Sequence, residues 1–189
     1  IIGTNTNDIL TRFLETGAMD AMDVVPTLSP AMDIQVSSNF ERLLFDLHGR
    51  DGRLISQAMT AFRESGTMAA TNDLLDKARE LFSAARLDDA GIKAQIAATY
   101  KNSGMIVDPH TATGLHAATA CAPDPSVPVV VLSTAHPAKF PDAVEAAIGV
   151  RPSLPSNLVD LLERPERLDT LPNDLAIVQT FVSDRANNT

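Results

Sequence analysis

Tryptophan is absent, and tyrosine and cysteine each occur once in the 189 residues. Cys121 alone cannot form an internal disulfide. No Cys/His group has the spacing of a zinc site, so the fold is expected to rest on its apolar core. No apolar run approaches the roughly 20 residues needed to cross a bilayer as a helix, which argues against a membrane partner. Basic residues are scarce: 15 Lys and Arg stand against 24 Asp and Glu, a net charge of -9. A nucleic-acid partner would need a basic face, so none is expected. The chain has no secretion signal and six methionines, and a cytoplasmic location follows as the default. Neither GxGxxG nor GxxxxGK[ST] is present to cradle a phosphate, and there is no GxSxG elbow. None of His48, His110, His116 and His136 begins an HExxH pair. An initiator methionine is missing too. The start Ile1-Ile2-Gly3-Thr4-Asn5 reads as a buried strand cut at its beginning, and the chain is therefore read as a fragment.

The most informative stretch is Val127 to Gly149. Val129, Val130, Val131 and Leu132 form a run too short for a helix and rich in β-branched residues, which suits a strand buried on both faces. Ser133, Thr134, Ala135 and His136 follow at its C-terminal end, where open α/β sheets bind ligands. A helix from about Asp142 to Ile148 ends at Gly149.

Along the rest of the chain, Ile1–Thr4 reads as a strand and Asn7-Asp8 as the cap of a helix. That helix carries Ile9, Leu10, Phe13 and Leu14 and closes at Gly17. Residues 18–34 lack a period and read as a long loop. Ser38 and Glu41 have capping-box spacing before a helix carrying Phe40, Leu43, Leu44 and Leu47. Further helices are expected from Leu54 to Gly66, from Asn72 to Ala85, and from an Asp88 cap to Gly104. Met105–Val107 is a short extended run. Asp108-Pro109 then gives a strong helix start. The helix that follows is nearly all small residues, and Gly114 within it suggests a backbone lying close against that face. The loop Cys121–Ser126 leads to the valine run. A short helix at Asn157–Glu163 and a last one from about Asn173 finish the chain, with a frayed tail from Asp184.

The residues alone therefore supply part of a ligand site and no complete catalytic apparatus. Three stretches look specialised nonetheless: Ser29 to Asp46 (SPAMDIQVSSNFERLLFD), Asp108 to Ala118 (DPHTATGLHAA) and Leu132 to Val144 (LSTAHPAKFPDAV). With Thr4 to Leu10 (TNTNDIL), and in this order, they closely resemble threonine synthase of the longer bacterial and fungal type. The resemblance covers only that family's C-terminal portion.

The resemblance implies an α/β fold: a partial open sheet of the tryptophan synthase β-like (fold-type II) large domain, helix-rich, with its N-terminal strands missing. Residues 1–189 would be the C-terminal part of that domain, with a helical block at about 37–104. It implies a pyridoxal 5'-phosphate enzyme converting O-phospho-L-homoserine and water to L-threonine and phosphate. The partner is then the N-terminal half of the same protein, which carries the Schiff-base lysine in a Phe-Lys-Asp context and the loop for the cofactor phosphate. None of Lys77, Lys93, Lys101 or Lys139 sits in that context, so the fragment alone is expected to be inactive. By the same analogy Thr134, with Ser133 beside it, would hydrogen-bond the pyridine nitrogen. Ser38, Asn39 and Arg42, at the opening of a helix, and Lys139 are the candidates for the substrate and its phosphate. The alternative from another class is a non-catalytic helical binding module.

Overall fold

Ile2–Thr4 forms strand β1, but of the expected buried strand Ile1 is left outside and exposed and only Thr4 is buried; the computed structural model describes residues 1–121, 124 and 126–186. Helix α1 (Ile9–Thr16) buries Ile9, Thr11, Phe13 and Leu14 along one side. Gly17 closes it in the left-handed conformation (φ 80°), which a side chain would strain, and its N–H bonds the Phe13 carbonyl. At the other end the expected cap is not made. The Asp8 carboxylate accepts instead from Arg12 at 2.8 Å and lies 3.5 Å from Arg86. Two guanidinium groups outcompete the helix's own N–H groups for that charge.

The residues after Gly17 were expected to be loop, yet Ala18–Asp20 is a strand, β2. It is followed by α2 (Phe40–Leu47), α3 (Gly52–Ser65) and strand β3 (Thr67–Ala69). β2 and β3 pair antiparallel with Ala18 opposite Ala69 and Met19 opposite Met68. No three-residue strand shows a period, so this pair was invisible in the sequence. The Ser38/Glu41 capping box is also not formed. Asn39 occupies the cap position in a helical conformation, and its side chain accepts from Arg42 at 2.7 Å rather than from a backbone N–H.

Helix α4 (Asn72–Leu81), capped by Thr71, stops four residues before Ala85. Phe82 turns extended, and Ala84–Arg86 becomes strand β4, paired parallel to β1 with Ile2 opposite Ala84 and Thr4 opposite Arg86. Leu81 is consequently 65% exposed, because the sheet bond from the Ile2 N–H to the Ser83 carbonyl (2.8 Å) pulls the chain off the helical path. Asp88 caps α5 (Asp89–Ser103) and Asp108 caps α6 (Pro109–Ala120), both as the sequence predicts. Between them Met105–Val107 is not a strand; Val107 is buried while Met105 is exposed. Helix α7 (Pro141–Ile148) ends at Gly149 as expected.

The β1–β4 pair carries α1 and α6 packed against it, and α5 packs on both α6 and α7. One core gathers Ile9, Phe13, Met19, Phe40, Leu44 and Phe62, with Phe13 and Phe40 edge to face at 5.1 Å. A second gathers Leu87, Ile92, Ile96, Val107 and Ala112. The tight backbone approach expected at α6 exists, but at a different glycine. A Cβ on Gly3 would lie 3.0 Å from the Thr113 carbonyl oxygen, whereas one on Gly114 would meet only the Val131 side chain, at 3.1 Å. β1 can lie on α6 only because Gly3 has no side chain.

The valine run departs furthest from expectation. Val129–Leu132 is not a strand buried on both faces. Val130 is 83% and Leu132 76% exposed, and the segment pairs with no strand among the described residues. Its β-branched residues suit a sheet, but among the described residues no neighbouring strand offers it a ladder. Of the loop before it, Ala122, Pro123 and Pro125 lie outside the described residues.

Residues 1–153 form one unit and 154–189 a second. In the second, the helix expected at Asn157–Glu163 is two 3₁₀ turns, Ser156–Leu158 and Leu161–Glu163. Helix α8 (Leu175–Ala186) continues through Asp184, where fraying was expected; residues 187–189 lie outside the described part. Near its end Arg185 reaches Asp169 at 2.6 Å and lies over the Phe181 ring. The side chains of Leu175 and Val182 remain exposed.

Candidate functional site

The N-terminus of α6 is built around Asp108, which is fully buried. One carboxylate oxygen accepts from the His110 N–H (2.9 Å) and from His110 Nδ1 (2.8 Å). The other accepts from the Thr111 N–H and from the Thr111 hydroxyl. A buried carboxylate is tolerable when it is bonded this fully. His110 Nε2 accepts the Ala31 N–H at 3.2 Å, so the ring proton sits on Nδ1 and is donated to Asp108. The contact is a hydrogen bond of neutral imidazole, and both ring nitrogens are occupied. The His110 ring also rests against Phe140 at 4.6 Å. His110 therefore ties the 3₁₀ turn Pro30–Met32 to α6 and offers no free nitrogen for catalysis.

A second polar cluster lies just beyond the C-terminal end of β1. Asn5, fully buried, directs its amide at Thr27 Oγ1 (2.7 Å), Ser29 Oγ (2.9 Å) and Asp33 Oδ1 (2.7 Å). Its carbonyl oxygen accepts the Asn7 N–H at 2.8 Å. Asn7 in turn binds the Val25 carbonyl and Asp33, while the Asp33 carboxylate receives the Thr27 N–H and hydroxyl. No buried side-chain nitrogen or oxygen among the described residues lacks a partner. The residues that read as an aperiodic loop are thus fixed to the strand end by side chains.

Between these features lies a cleft of about 680 Å³, a size suited to a cofactor-sized ligand. Its floor is the small-residue face of α6 at Gly114 and Ala118. Ile1 and Gly3 form one flank, Pro128–Leu132 the other, and Ala31, Met32, His110 and Thr134 stand among its lining residues. The flank at Pro128–Leu132 is entered through a turn in which the Ser126 hydroxyl and N–H hold the Asp124 carboxyl below the usual carboxylate range.

Of the residues singled out in the sequence, Thr134, itself exposed, lines the cleft. Its N–H bonds Thr111 Oγ1 at 3.3 Å, and among the described residues its hydroxyl has no hydrogen-bond partner. Ser133 is exposed and outside the lining, as are Ser38, Asn39, Arg42 and Lys139. Lys139 lies over the Phe140 ring at 5.8 Å, and His136 caps the turn Pro137–Lys139 by accepting the Ala138 N–H. His136 thus orients the exit of the segment through the backbone. The sequence reading passed over Asn5, Asp33, Asp108 and Thr111. Asp108 carried a signal, a charged residue before proline, but it read as a cap alone.

The arrangement suits the ring of pyridoxal phosphate. Small apolar walls leave room for a flat group, and Thr134 offers a free hydroxyl. No lysine or arginine lines the cleft, so nothing there would hold the phosphate or form a bond to the aldehyde.

Residues 111–182 match the family model for the C-terminal region of threonine synthase. The chain is 50% identical over 188 residues to a threonine synthase of Pseudomonas aeruginosa, covering 99% of this chain and 40% of that protein. It is 36% identical to that of Corynebacterium glutamicum, again covering 40% of the relative. Among solved structures it superimposes on pyridoxal phosphate-bound threonine synthase from Brucella melitensis with a TM-score of 0.87 at 46% identity, covering 97% of this chain and 39% of that one. The yeast threonine synthase structure gives 0.82 at 32% identity, covering all of this chain and 42% of that one. The chain spans about 40% of the length of the relatives it matches.

Proposed function

The chain belongs to the threonine synthase family and matches its C-terminal portion; from that premise we propose that it supplies one wall of a pyridoxal phosphate site. The enzyme so completed converts O-phospho-L-homoserine and water to L-threonine and phosphate. The observation that carries this assignment is Thr134, placed at the cleft with its hydroxyl unengaged and its backbone tied to α6. When bound, the cofactor supplies an electron sink for bond-making and bond-breaking on the amino-acid substrate. This chain's part is to hold that group and tune it. Thr134, with Ser133 adjacent, would donate to or accept from the ring nitrogen without imposing a proton on it, as a carboxylate would. Ala31, Met32 and Val131, which line the cleft, would pack against the ring and shield it from water.

The N-terminal portion of the relatives, absent from this chain, would provide the lysine and the phosphate loop. It would also provide strands to pair with the open edge of β1. Mixing this chain alone with pyridoxal phosphate is expected to give no lysine-bound absorption band and no threonine. A specific band formed by the chain alone would overturn this division of labour. A cytoplasmic location without nucleic-acid partners accords with the net charge of -9, and no helix among the described residues is long and apolar enough to cross a membrane.

Substrate phosphate is assigned to Arg42, Asn39 and Ser38 at the start of α2, with Lys139. Arg42 and Asn39 already bond one another at 2.7 Å, so the guanidinium is held near the helix N-terminus. Arg42→Ala in the full-length enzyme should raise KM about tenfold with kcat little changed, the loss of one charge-assisted bond. If KM and kcat both stay at wild type, Arg42 is an ordinary surface residue.

A further inference from the structure

The cleft wall that carries Thr134 is poorly held by the rest of this chain. Between Pro128 and Ala135, a single hydrogen bond occurs among the described residues: the Thr134 N–H to Thr111 Oγ1 at 3.3 Å. The side chains of Val130 and Leu132 are exposed and contribute little packing. At the other end of that bond, by contrast, everything is fixed. Thr111 is nearly fully buried and gives its hydroxyl proton to the fully buried Asp108. Asp108 is itself anchored by the backbone of α6 and by His110, which is anchored by the Ala31 N–H.

We infer that Thr111, oriented by Asp108, is a positioning residue that sets the backbone of Thr134 and hence the reach of its hydroxyl to the bound cofactor. A threonine hydroxyl has one hydrogen and two lone pairs. With the hydrogen committed to a carboxylate that can only accept, the lone pairs face outward and receive the Thr134 N–H. The carboxylate thus gives the chain of bonds one polarity, from Thr134 through Thr111 to Asp108, and no rotation of the Thr111 hydroxyl competes. The same carboxylate bonds His110, whose Nε2 holds Ala31 at the cleft, so one buried charge aligns two parts of the lining. The inference rests on the assignment of Thr134 to the cofactor ring.

The test uses a full-length threonine synthase containing this chain and targets Thr111, because removing Asp108 would also uncap α6. Thr111→Val keeps the shape and deletes the acceptor; Thr111→Ser restores it. Thr111→Val is expected to speed amide exchange over residues 128–136 by about fivefold, as the loss of one net hydrogen bond implies. It should also shift the absorption of the bound cofactor in the direction seen for Thr134→Val. A drop in kcat of about tenfold with substrate KM within about twofold should accompany it. Thr111→Ser should match wild type in all three. Unchanged exchange in Thr111→Val overturns the tether. Faster exchange with an unmoved spectrum, while Thr134→Val does move it, overturns the positioning role and leaves Thr134 at the ring. A spectrum that neither variant moves overturns the assignment of Thr134 and the inference with it.

Discussion

Thr134→Asp, made in a full-length threonine synthase that contains this chain, is expected to change the spectrum of the bound cofactor and to lower kcat by about a hundredfold. The cause is charge. A hydroxyl at the ring nitrogen can donate or accept and leaves the nitrogen's proton affinity near its own value. A carboxylate in the same place favours the protonated ring by roughly one to three pKa units. The stronger electron sink that results no longer discriminates between elimination of phosphate and competing transfer of the amino group. The ratio of side product to threonine should therefore rise as kcat falls. Thr134→Val separates charge from contact: it removes the hydroxyl without adding a carboxylate, so it should weaken turnover without raising the side product to the same degree. Product analysis and the visible spectrum read both variants. If Thr134→Asp alters neither the spectrum nor the product ratio, the ring nitrogen is held by another group. The free hydroxyl of Thr134 in this structure and its place in the cleft lining are the grounds for expecting otherwise.

Asn5→Leu is expected to cost the fold about 3 kcal/mol, read as a lower urea midpoint without a change in slope. Leucine has the same heavy-atom branching as asparagine, with bulkier methyl groups in place of the amide nitrogen and oxygen, so no cavity is left. What is lost is the hub of a buried network. The Asn5 amide has two hydrogens, and Thr27, Ser29 and Asp33 gather around them at 2.7 to 2.9 Å. Without those hydrogens the partly buried Asp33 carboxylate keeps only the Asn7 amide and the N–H and hydroxyl of Thr27. The Asn7 N–H loses its acceptor as well. Unpaired polar groups in such a setting cost more than the bonds themselves contribute. The effect should reach the site too, because this network holds the loop that carries Ala31 and Met32 to the cleft. Urea unfolding indistinguishable from wild type would show that the loop is held by its apolar contacts instead.

The helices and their ends were legible because their causes are local. Gly17, Gly66, Gly104 and Gly149 each end a helix with positive φ, and Asp88 and Asp108 each cap one. Such signals depend on residues within one turn of each other. The Asp8 cap failed although its spacing was right, since Arg12 and Arg86 offered its carboxylate stronger partners; the Ser38/Glu41 box failed because Asn39, already helical, takes the cap position. The strands β2, β3 and β4 left no trace because three residues cannot display a period of two. They exist only through partners tens of residues away, as in the pairing of β1 with β4. Val129–Leu132 shows the reverse: a strong strand signal without a strand, because a ladder needs a second chain segment beside it.

The family resemblance and the acidic charge were determined by sequence alone, for they reside in the order and the number of residues. Tertiary structure alone decided that Thr134 hangs from Thr111, and that His110 is spent on Ala31 rather than free for chemistry. It also decided that an apparently idle loop is locked to β1 through Asn5. Each of these depends on side chains brought together across more than 20 residues of chain. Neither spacing nor composition encodes such a meeting; only the packing of α6 against β1, permitted by the bare backbone of Gly3, creates it.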